Sequence, residues 1–419
     1  MTVERVAVVL DDVALRRAVE VGHLSRDRKG GAEVVRFGYT DAWLRHTHGA
    51  FALDPELQLS PGDFFSATKC GLFGIFRDTS PDRWGRVLME RREALDARKA
   101  GRRARRLGEW DFLLGVSDFT RVGALRLRGL EGERSFLDAH ELGAPPAARL
   151  RELQAMALAL DEADSEDRPE YESWLRQLLA PGTSLGGARP KATFTAADGS
   201  AWLAKFPARQ DRHDVGAWEF LAHELALAAK IQVPEARRMK LGGAHHTHAV
   251  KRFDRTGPRR RLFASAMTLL ARNDGDAASY LDVAQAVQDQ GDPAAIVSDL
   301  EELYRRVVFN VMLGNRDDHL RNHGFLRGPK GWRLSPAFDL NPSPDRDDHA
   351  LALDGSTCFP SVATVRATRE LYRLTAARAG RIEREVRLAL ASWQPLAKSM
   401  GIRRGELTRL EAIIQPSLE

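Results

Sequence analysis

Between an apolar helical stretch and a short hairpin the chain carries Gly314-Asn315-Arg316-Asp317-Asp318-His319-Leu320-Arg321-Asn322, followed by Ser335-Pro336-Ala337-Phe338-Asp339-Leu340. Two carboxylates, an imidazole and a carboxamide crowd into one polar interruption. Upstream, Leu303 to Leu313 places Val307, Val308, Val311 and Met312 on or near one face, the pattern of a buried helix. Downstream, His323 to Leu326 and Gly331 to Leu334 are short strand-like runs joined by a Gly-Pro-Lys turn. Asp317 and Asn322 therefore fall in a helix-to-strand loop, and Asp339 falls just beyond a hairpin.

That spacing suits phosphoryl transfer. Such a site needs an Asp to accept a hydroxyl proton, an Asn five positions later to hold metal, and a second Asp past a hairpin to hold Mg²⁺. Asp317 and Asn322 have that separation, whereas Asp318 is one residue short. Asp317 is the expected base, and Asn322 and Asp339 are the expected oxygen ligands of Mg²⁺. The plain alternative is a solvated loop, for which Asp and Asn are ordinary residues.

At 419 residues the chain is too long for one ordinary core, so two or three subdomains are expected. Its 43% hydrophobic and 29% charged residues describe a soluble globular protein. The net charge of +5 permits an acidic partner without demanding one. Two distant cysteines, Cys70 and Cys358, exclude a disulfide framework or a cysteine zinc site. Charges at Glu4, Arg5, Asp11 and Asp12 are unlike a signal peptide, and no apolar run approaches a membrane span, so a cytoplasmic location is expected.

From the N-terminus, residues 3–10 and 33–38 read as strands joined by a polar turn at Asp27 to Gly31, with Asp41 capping a short helix. In Thr79-Ser80-Pro81-Asp82-Arg83-Trp84-Gly85-Arg86, Ser80 suits an N-cap and Pro81 a first helical position. The helix runs into a basic segment, Arg98 to Arg106, read as solvated surface, with a nucleic-acid contact as the lesser alternative. Val122 to Leu127 reads as a strand. A helix at about 147–163 has Leu150, Leu153, Ala157 and Leu160 on one face, and another lies near 170–179.

Pro181 to Phe194 then forms a glycine-rich turn leading into a strand, whose return strand, Trp202 to Phe206, carries Lys205. Glycines let backbone N–H groups approach phosphate oxygens. No Gly-Lys-Ser/Thr opens a helix, so this is not a Walker loop; a glycine-rich turn, a strand and a Lys on the partner strand is the arrangement that covers ATP in kinases. Lys205 is the expected phosphate clamp, with an edge-strand lysine as its bland counterpart. His213 to Ile231 is a helix offering Glu219 and Glu224 as partners for Lys205, without a choice between them. Strands follow at Arg237–Leu241 and Thr247–Phe253, the second ending where an inter-lobe hinge would fall. The histidines at 245, 246 and 248 are read as exposed loop residues rather than metal ligands.

Assembled, these pieces resemble the HipA family of serine/threonine kinases, the toxin half of HipA–HipB type toxin–antitoxin modules. The resemblance rests on Phe76-Arg77-Asp78-x-x-Pro81-Asp82-Arg83-Trp84-Gly85-Arg86, Val122-Gly123-Ala124-Leu125, Ser184-Leu185-Gly186-Gly187-Ala188-Arg189-Pro190-Lys191 and Lys205-Phe206-Pro207. It continues in Arg252-Phe253-Asp254-Arg255, Gly314-Asn315-x-Asp317-x-His319-x-x-Asn322 and Phe338-Asp339, in the family's order and over nearly the whole chain. It implies an α+β, bilobal protein-kinase-like fold with a β-rich N-terminal subdomain (1–145), a small lobe (146–253) and a mostly helical C-terminal lobe (254–419). It further implies that Gly186, Gly187, Ala188, Arg189, Pro190 and Lys191 contact ATP phosphates, that Lys205 clamps them, and that Lys251, Arg252 and Phe253 form the hinge. Asp317 would be the base, His319, Leu320, Arg321 and Asn322 would support nucleotide and Mg²⁺, and Phe338 and Asp339 would close the site.

Ser184 matches the family's autophosphorylated loop serine; a phosphate there adds nearly two negative charges beside bound phosphates and disfavours the ATP-engaged loop. By resemblance the partners are a HipB-like helix-turn-helix antitoxin, operator DNA through that complex, and a protein substrate such as glutamyl-tRNA synthetase. Three positions depart from the pattern: Lys251 replaces an acidic residue, Asp318 stands where glycine is common and brings charge near the phosphates, and Arg321 replaces a lysine. Two rival functions remain, a small-molecule phosphotransferase and a non-catalytic antitoxin- and DNA-binding corepressor.

Overall fold

A computed structural model of the chain describes residues 4–29, 32–46, 49–68, 71–130, 135–137, 144–179, 187 and 189–418. They fall into two units: Met1–Arg209 with Asp254–Asn273, and Gln210–Phe253 with Asp274–Glu419.

In the first unit β1 (Arg5–Leu10), β2 (Val19–Lys29), β3 (Ala32–Tyr39), β4 (Asp63–Phe65) and β5 (Leu125–Gly129) form an antiparallel sheet in the order β4-β3-β2-β1-β5. Val6 to Leu10 are all buried, as suits a central strand covered on both faces. The sequence expectation of two strands joined by a turn at Asp27 to Gly31 missed β2: Asp27 lies within it, opposite Val34. Its polar sequence disguises it, because the buried Arg26 is satisfied by Glu4 and Glu33 rather than by solvent.

The unit also contains α1 (Asp41–Leu44), packed on β2, and α2 (Gly74–Arg77), α3 (Arg83–Lys99), α4 (Glu109–Leu114), α5 (Leu150–Leu160) and α6 (Tyr171–Leu179), of which α3, α5 and α6 pack together. The caps differ from those expected. Thr40, not Asp41, caps α1, and Asp82, not Ser80, caps α3 by accepting the Gly85 N–H at 2.8 Å. Ser80 instead donates its hydroxyl to the Phe76 carbonyl. Leu150, Leu153, Ala157 and Leu160 are buried along α5 as the periodicity predicts. A hairpin, β6 (Lys191–Thr195) and β7 (Ala201–Lys205), follows, turning at Asp198-Gly199.

Residues 254–273 complete this unit with the short strands β10 (Arg255–Thr256), β11 (Arg259–Arg260) and β12 (Phe263–Ser265) and the helix α8 (Ala266–Leu269). Buried carboxylates, Asp78 and Asp254 of the sequence motifs together with Asp12, hold the segment. Asp12 accepts the Leu262 N–H at 2.6 Å, and Asp254 accepts the Gly123 N–H at 2.8 Å. Asp78 takes the N–H and hydroxyl of Ser265 and the hydroxyl of Thr268 at 2.6–2.8 Å.

The second unit contains α7 (Val215–Ala228), the antiparallel pair β8 (Ala236–Met239) and β9 (Thr247–Lys251), α9 (Tyr280–Gln290), α10 (Ile296–Leu313) and the hairpin β13 (Gly324–Arg327) with β14 (Trp332–Leu334). It ends in α11 (Val362–Ala367), α12 (Ala376–Leu390), α13 (Trp393–Ser399) and α14 (Arg404–Ile414). The central helix is α10, packed against α9 and α12 and buried along most of its length. Its burial includes charge: Arg305 donates to the Ala229 carbonyl, and Arg306 to Glu302 and the Ser335 carbonyl. Gly314 ends the helix at φ 75°, a left-handed cap that glycine adopts without Cβ strain. Among the described residues no helix is long and apolar enough to cross a membrane.

Candidate functional site

The loop after α10 rests on a buried polar base. Asn315 bonds back to Asn310 through its backbone N–H (2.9 Å) and its side-chain amide (3.1 Å). Asn310 in turn donates to Oδ2 of Asp318 at 2.7 Å. The same oxygen accepts the Tyr280 hydroxyl at 2.9 Å and meets Nε2 of His323 at 2.8 Å. Burial pushes the Asp318 carboxyl up, but His323, with the Tyr280 hydroxyl, outweighs it and holds the group below the ordinary carboxylate range. Tyr280 is placed for this by the Ser279–Asp282 capping box that opens α9. The charge at residue 318, expected near the phosphates, is thus absorbed inside the protein.

With Asp318 turned inward, Asp317 and His319 on either side are exposed. The Asn322 amide donates to the Asp317 carbonyl at 3.3 Å, and among the described residues its own oxygen is left as an acceptor. The segment beyond Asp339 straps this loop: Ser343 Oγ accepts the N–H groups of Arg316 and Asp317, and the Ser343 N–H donates to the Gly314 carbonyl. Arg346 lies 2.7 Å from Asp317 Oδ1. Leu320 is buried as the first residue of a short 3-10 turn, and Arg321 is paired with Asp274 at 2.8 Å. No local sequence signal marks Ser343 or Arg346, because their partners lie about thirty residues upstream.

Past the hairpin, Ala337 donates its N–H to the Gln232 carbonyl at 2.7 Å. Phe338 packs its ring 5.6 Å from that of Phe253, which brings together two residues expected at the site. Asp339 has φ 60°, a left-handed conformation uncommon outside glycine and frequent at functional positions. Of the hinge residues, Lys251 spends its N–H on the Glu235 carbonyl, and Arg252 is buried. Glu219 is buried on α7, 3.8 Å from His248, whereas Glu224 is engaged by His223. The three histidines are not uniformly exposed: His248 is buried in β9, and His246 is held by Asp214 at 2.5 Å. His248 lies on a buried stretch of β9 that the glycine-rich sequence before it did not reveal.

In the first unit Lys205 ends β7 directly opposite Lys191, the first residue of β6. The Lys191 ammonium is buried against Asp82, and Arg189 reaches the Phe206 carbonyl at 3.5 Å. Ser184, Gly186 and Ala188 lie outside the described residues.

Among the described residues no three His, Cys, Asp or Glu side chains converge on a cation site. Mg²⁺ does not require that, since it takes one or two protein oxygens and completes its shell with phosphates and water. The amide oxygen of Asn322 and the carboxylate of Asp339 are donors of the right kind.

Comparison with known proteins identifies the chain. The model of the HipA N-terminal domain matches residues 12–112, and that of the HipA-like C-terminal domain matches residues 183–394, more than half of the sequence. The chain belongs to the HipA family. Its structure matches a chain of the Shewanella oneidensis MR-1 toxin–antitoxin complex of HipA, HipB and operator DNA, with TM-score 0.68 and 16% identity over 99% of this chain and 96% of that one. At that identity the likeness establishes the fold, which is the HipA α+β, kinase-like fold expected from the sequence. A protein of Sinorhizobium fredii (strain NBRC 101917 / NGR234), "Putative kinase Y4dM", is 30% identical over 158 residues, which span 34% of this HipA-family chain and 37% of that relative.

Proposed function

We propose that this HipA-family chain is an ATP- and Mg²⁺-dependent protein serine/threonine kinase, the toxin of a toxin–antitoxin module. The observation that carries the reading is the loop from Asp317 to Asn322. Asp318 is buried as its anchor, Asp317 is left exposed, and Asn322 is braced against the Asp317 backbone through its amide N–H. ATP with Mg²⁺ supplies the transferable γ-phosphoryl group and neutralises its charge.

The roles of the residues follow from their chemistry. Asp317 uses Oδ2 to take the proton of the acceptor hydroxyl as that oxygen bonds to the γ-phosphorus and the bond to the ADP oxygen breaks. Arg346, on Oδ1, fixes the carboxylate's orientation. Asn322 and Asp339 hold the metal through oxygen. Lys205 and the backbone of Gly186 to Lys191 face the phosphates, Lys251 to Phe253 serve as the hinge, and His319 to Arg321 and Phe338 line the nucleotide.

Family membership extends the proposal to phosphorylation of the chain's own Ser184 and of a protein serine, with glutamyl-tRNA synthetase the substrate by resemblance. The Shewanella complex, in which HipA is found with HipB and operator DNA, supports a HipB-like antitoxin and operator DNA as partners. Part of the basic run's charge is already offset on the surface, since Arg102 and Arg105 pair with Glu93, Arg105 also with Asp111, and Lys99 with Glu172. Mass spectrometry after incubation with Mg-ATP tests the reading. Phosphate on Ser184 in the wild type and none in Asp317→Asn is expected; no transfer to any hydroxyl, with or without candidate substrates, would refute it.

A further inference from the structure

The turn that leads into β6 is held by a residue nearly 110 positions away. The Lys191 side chain is 1% exposed, and its Nζ lies 2.7 Å from Oδ2 of Asp82, which is 2% exposed. The same Nζ donates to the Gly187 carbonyl at 3.3 Å. Gly187 has φ 103°, and a Cβ there would come within 3.1 Å of the ammonium, so the backbone at this point is fitted closely to the lysine. Asp82 meanwhile uses Oδ1 to cap α3 through the Gly85 N–H, which fixes its own position on a seventeen-residue helix.

Taking two charges out of water is expensive, and the pair is a poor choice if only stability is needed. A second argument comes from the hairpin register. Lys191 and Lys205 are cross-strand partners, so two like charges share one face of the β6–β7 pair. Asp82 neutralises the first of them, which relieves the like-charge contact at that end of the hairpin.

We infer that Asp82 is a positioning residue for the nucleotide-binding turn: it anchors Lys191, and Lys191 anchors the Gly187 carbonyl, so that the end of the turn next to β6 is fixed where phosphate would be met. The N-terminal motif Ser80-Pro81-Asp82-Arg83-Trp84-Gly85-Arg86 thereby sets nucleotide affinity without touching nucleotide. Lys191 acts through the backbone it holds rather than by presenting its ammonium. This rests on the kinase reading of the turn.

The test uses the full chain. Asp82→Asn keeps a side-chain oxygen to cap α3 but removes the charge facing Lys191. The KM for ATP, and the Kd for Mg-ADP by calorimetry, are expected to rise about tenfold or more, as for loss of a charge-assisted contact, with kcat changed much less. Should that variant fold poorly because Lys191 is left unpaired, Asp82→Asn/Lys191→Met removes both charges together and should show the same rise in Kd. A purely structural pair would lower the melting temperature while folded protein kept its wild-type Kd, and that result overturns the inference. A wild-type chain that binds no Mg-nucleotide sinks the kinase reading along with it; wild-type binding with unchanged Kd in both folded variants sinks the anchor alone.

Discussion

Adjacent aspartates in the loop after α10 should respond to the same substitution in opposite ways. Asp318 receives the Asn310 amide, the Tyr280 hydroxyl and His323 on one buried oxygen, at 2.7, 2.9 and 2.8 Å. Asp318→Ala deletes the acceptor and leaves those groups facing a void. Each orphaned buried donor costs about 1–3 kcal/mol, and breaking a buried charged pair from one side costs about 3–5 kcal/mol. A loss of about 3–5 kcal/mol is expected after local relaxation, a large part of a typical domain's 5–15 kcal/mol. Asp317→Ala loses only the contact with Arg346, where both side chains are more than half exposed. Such a pair is worth about 0.2–1 kcal/mol, so the variant should fold as the wild type does while transferring no phosphate. Urea unfolding followed by tryptophan fluorescence, alongside phosphate labelling, separates the two. An Asp318→Ala chain within 1 kcal/mol of wild type would refute the assignment of Asp318 as the loop's anchor.

Three further outcomes are expected. Burial pushes His349 down to about 4, so its contribution to stability is complete above its unfolded value of about 6.5 and is lost as pH falls towards 4. Between pH 7 and pH 5 this amounts to about 2 kcal/mol, and His349→Leu should flatten that part of the stability profile; Asp54, pushed up to about 6 by burial, slopes the opposite way, losing stability as pH rises towards 6. Asp78→Ala, which strands three donors from Ser265 and Thr268, should cost about 3 kcal/mol or more in urea unfolding. Lys205→Met should lower kcat/KM for phosphate transfer by about a hundredfold or more, the scale seen when one charge-stabilising group is removed from a transition state, with the fold intact by circular dichroism.

What the sequence disclosed, and what it hid, divide by range. The helix ending at Gly314, the hairpin after it and the polar loop between them are coded by neighbours a few residues apart, so their existence and order were legible. The apolar stripe of α5 was legible for the same reason. β2 was not, since Arg26 is a core residue only because Glu4, just before β1, and Glu33 of β3 meet it. Asp318 read as an extra charge beside the phosphates until Tyr280, thirty-eight residues upstream, and Asn310 were placed around it. Asp82 read as one letter of a family motif; its partner, more than a hundred residues later, gives the letter a physical meaning.

The chain crosses out of its first unit after Arg209 and returns to it for Asp254–Asn273, where Asp12, Asp78 and Gly123 receive the strands and helix that complete it. A ribosome must therefore deliver the chain through Asn273 before the N-terminal unit can close. Until then its buried carboxylates stand without the donors that compensate them, and the nascent chain presents an unfinished surface to chaperones and proteases. The N-terminal unit cannot be excised as a simple fragment, and a chain stalled before residue 254 should be cleared as misfolded protein rather than persist as a partly competent one.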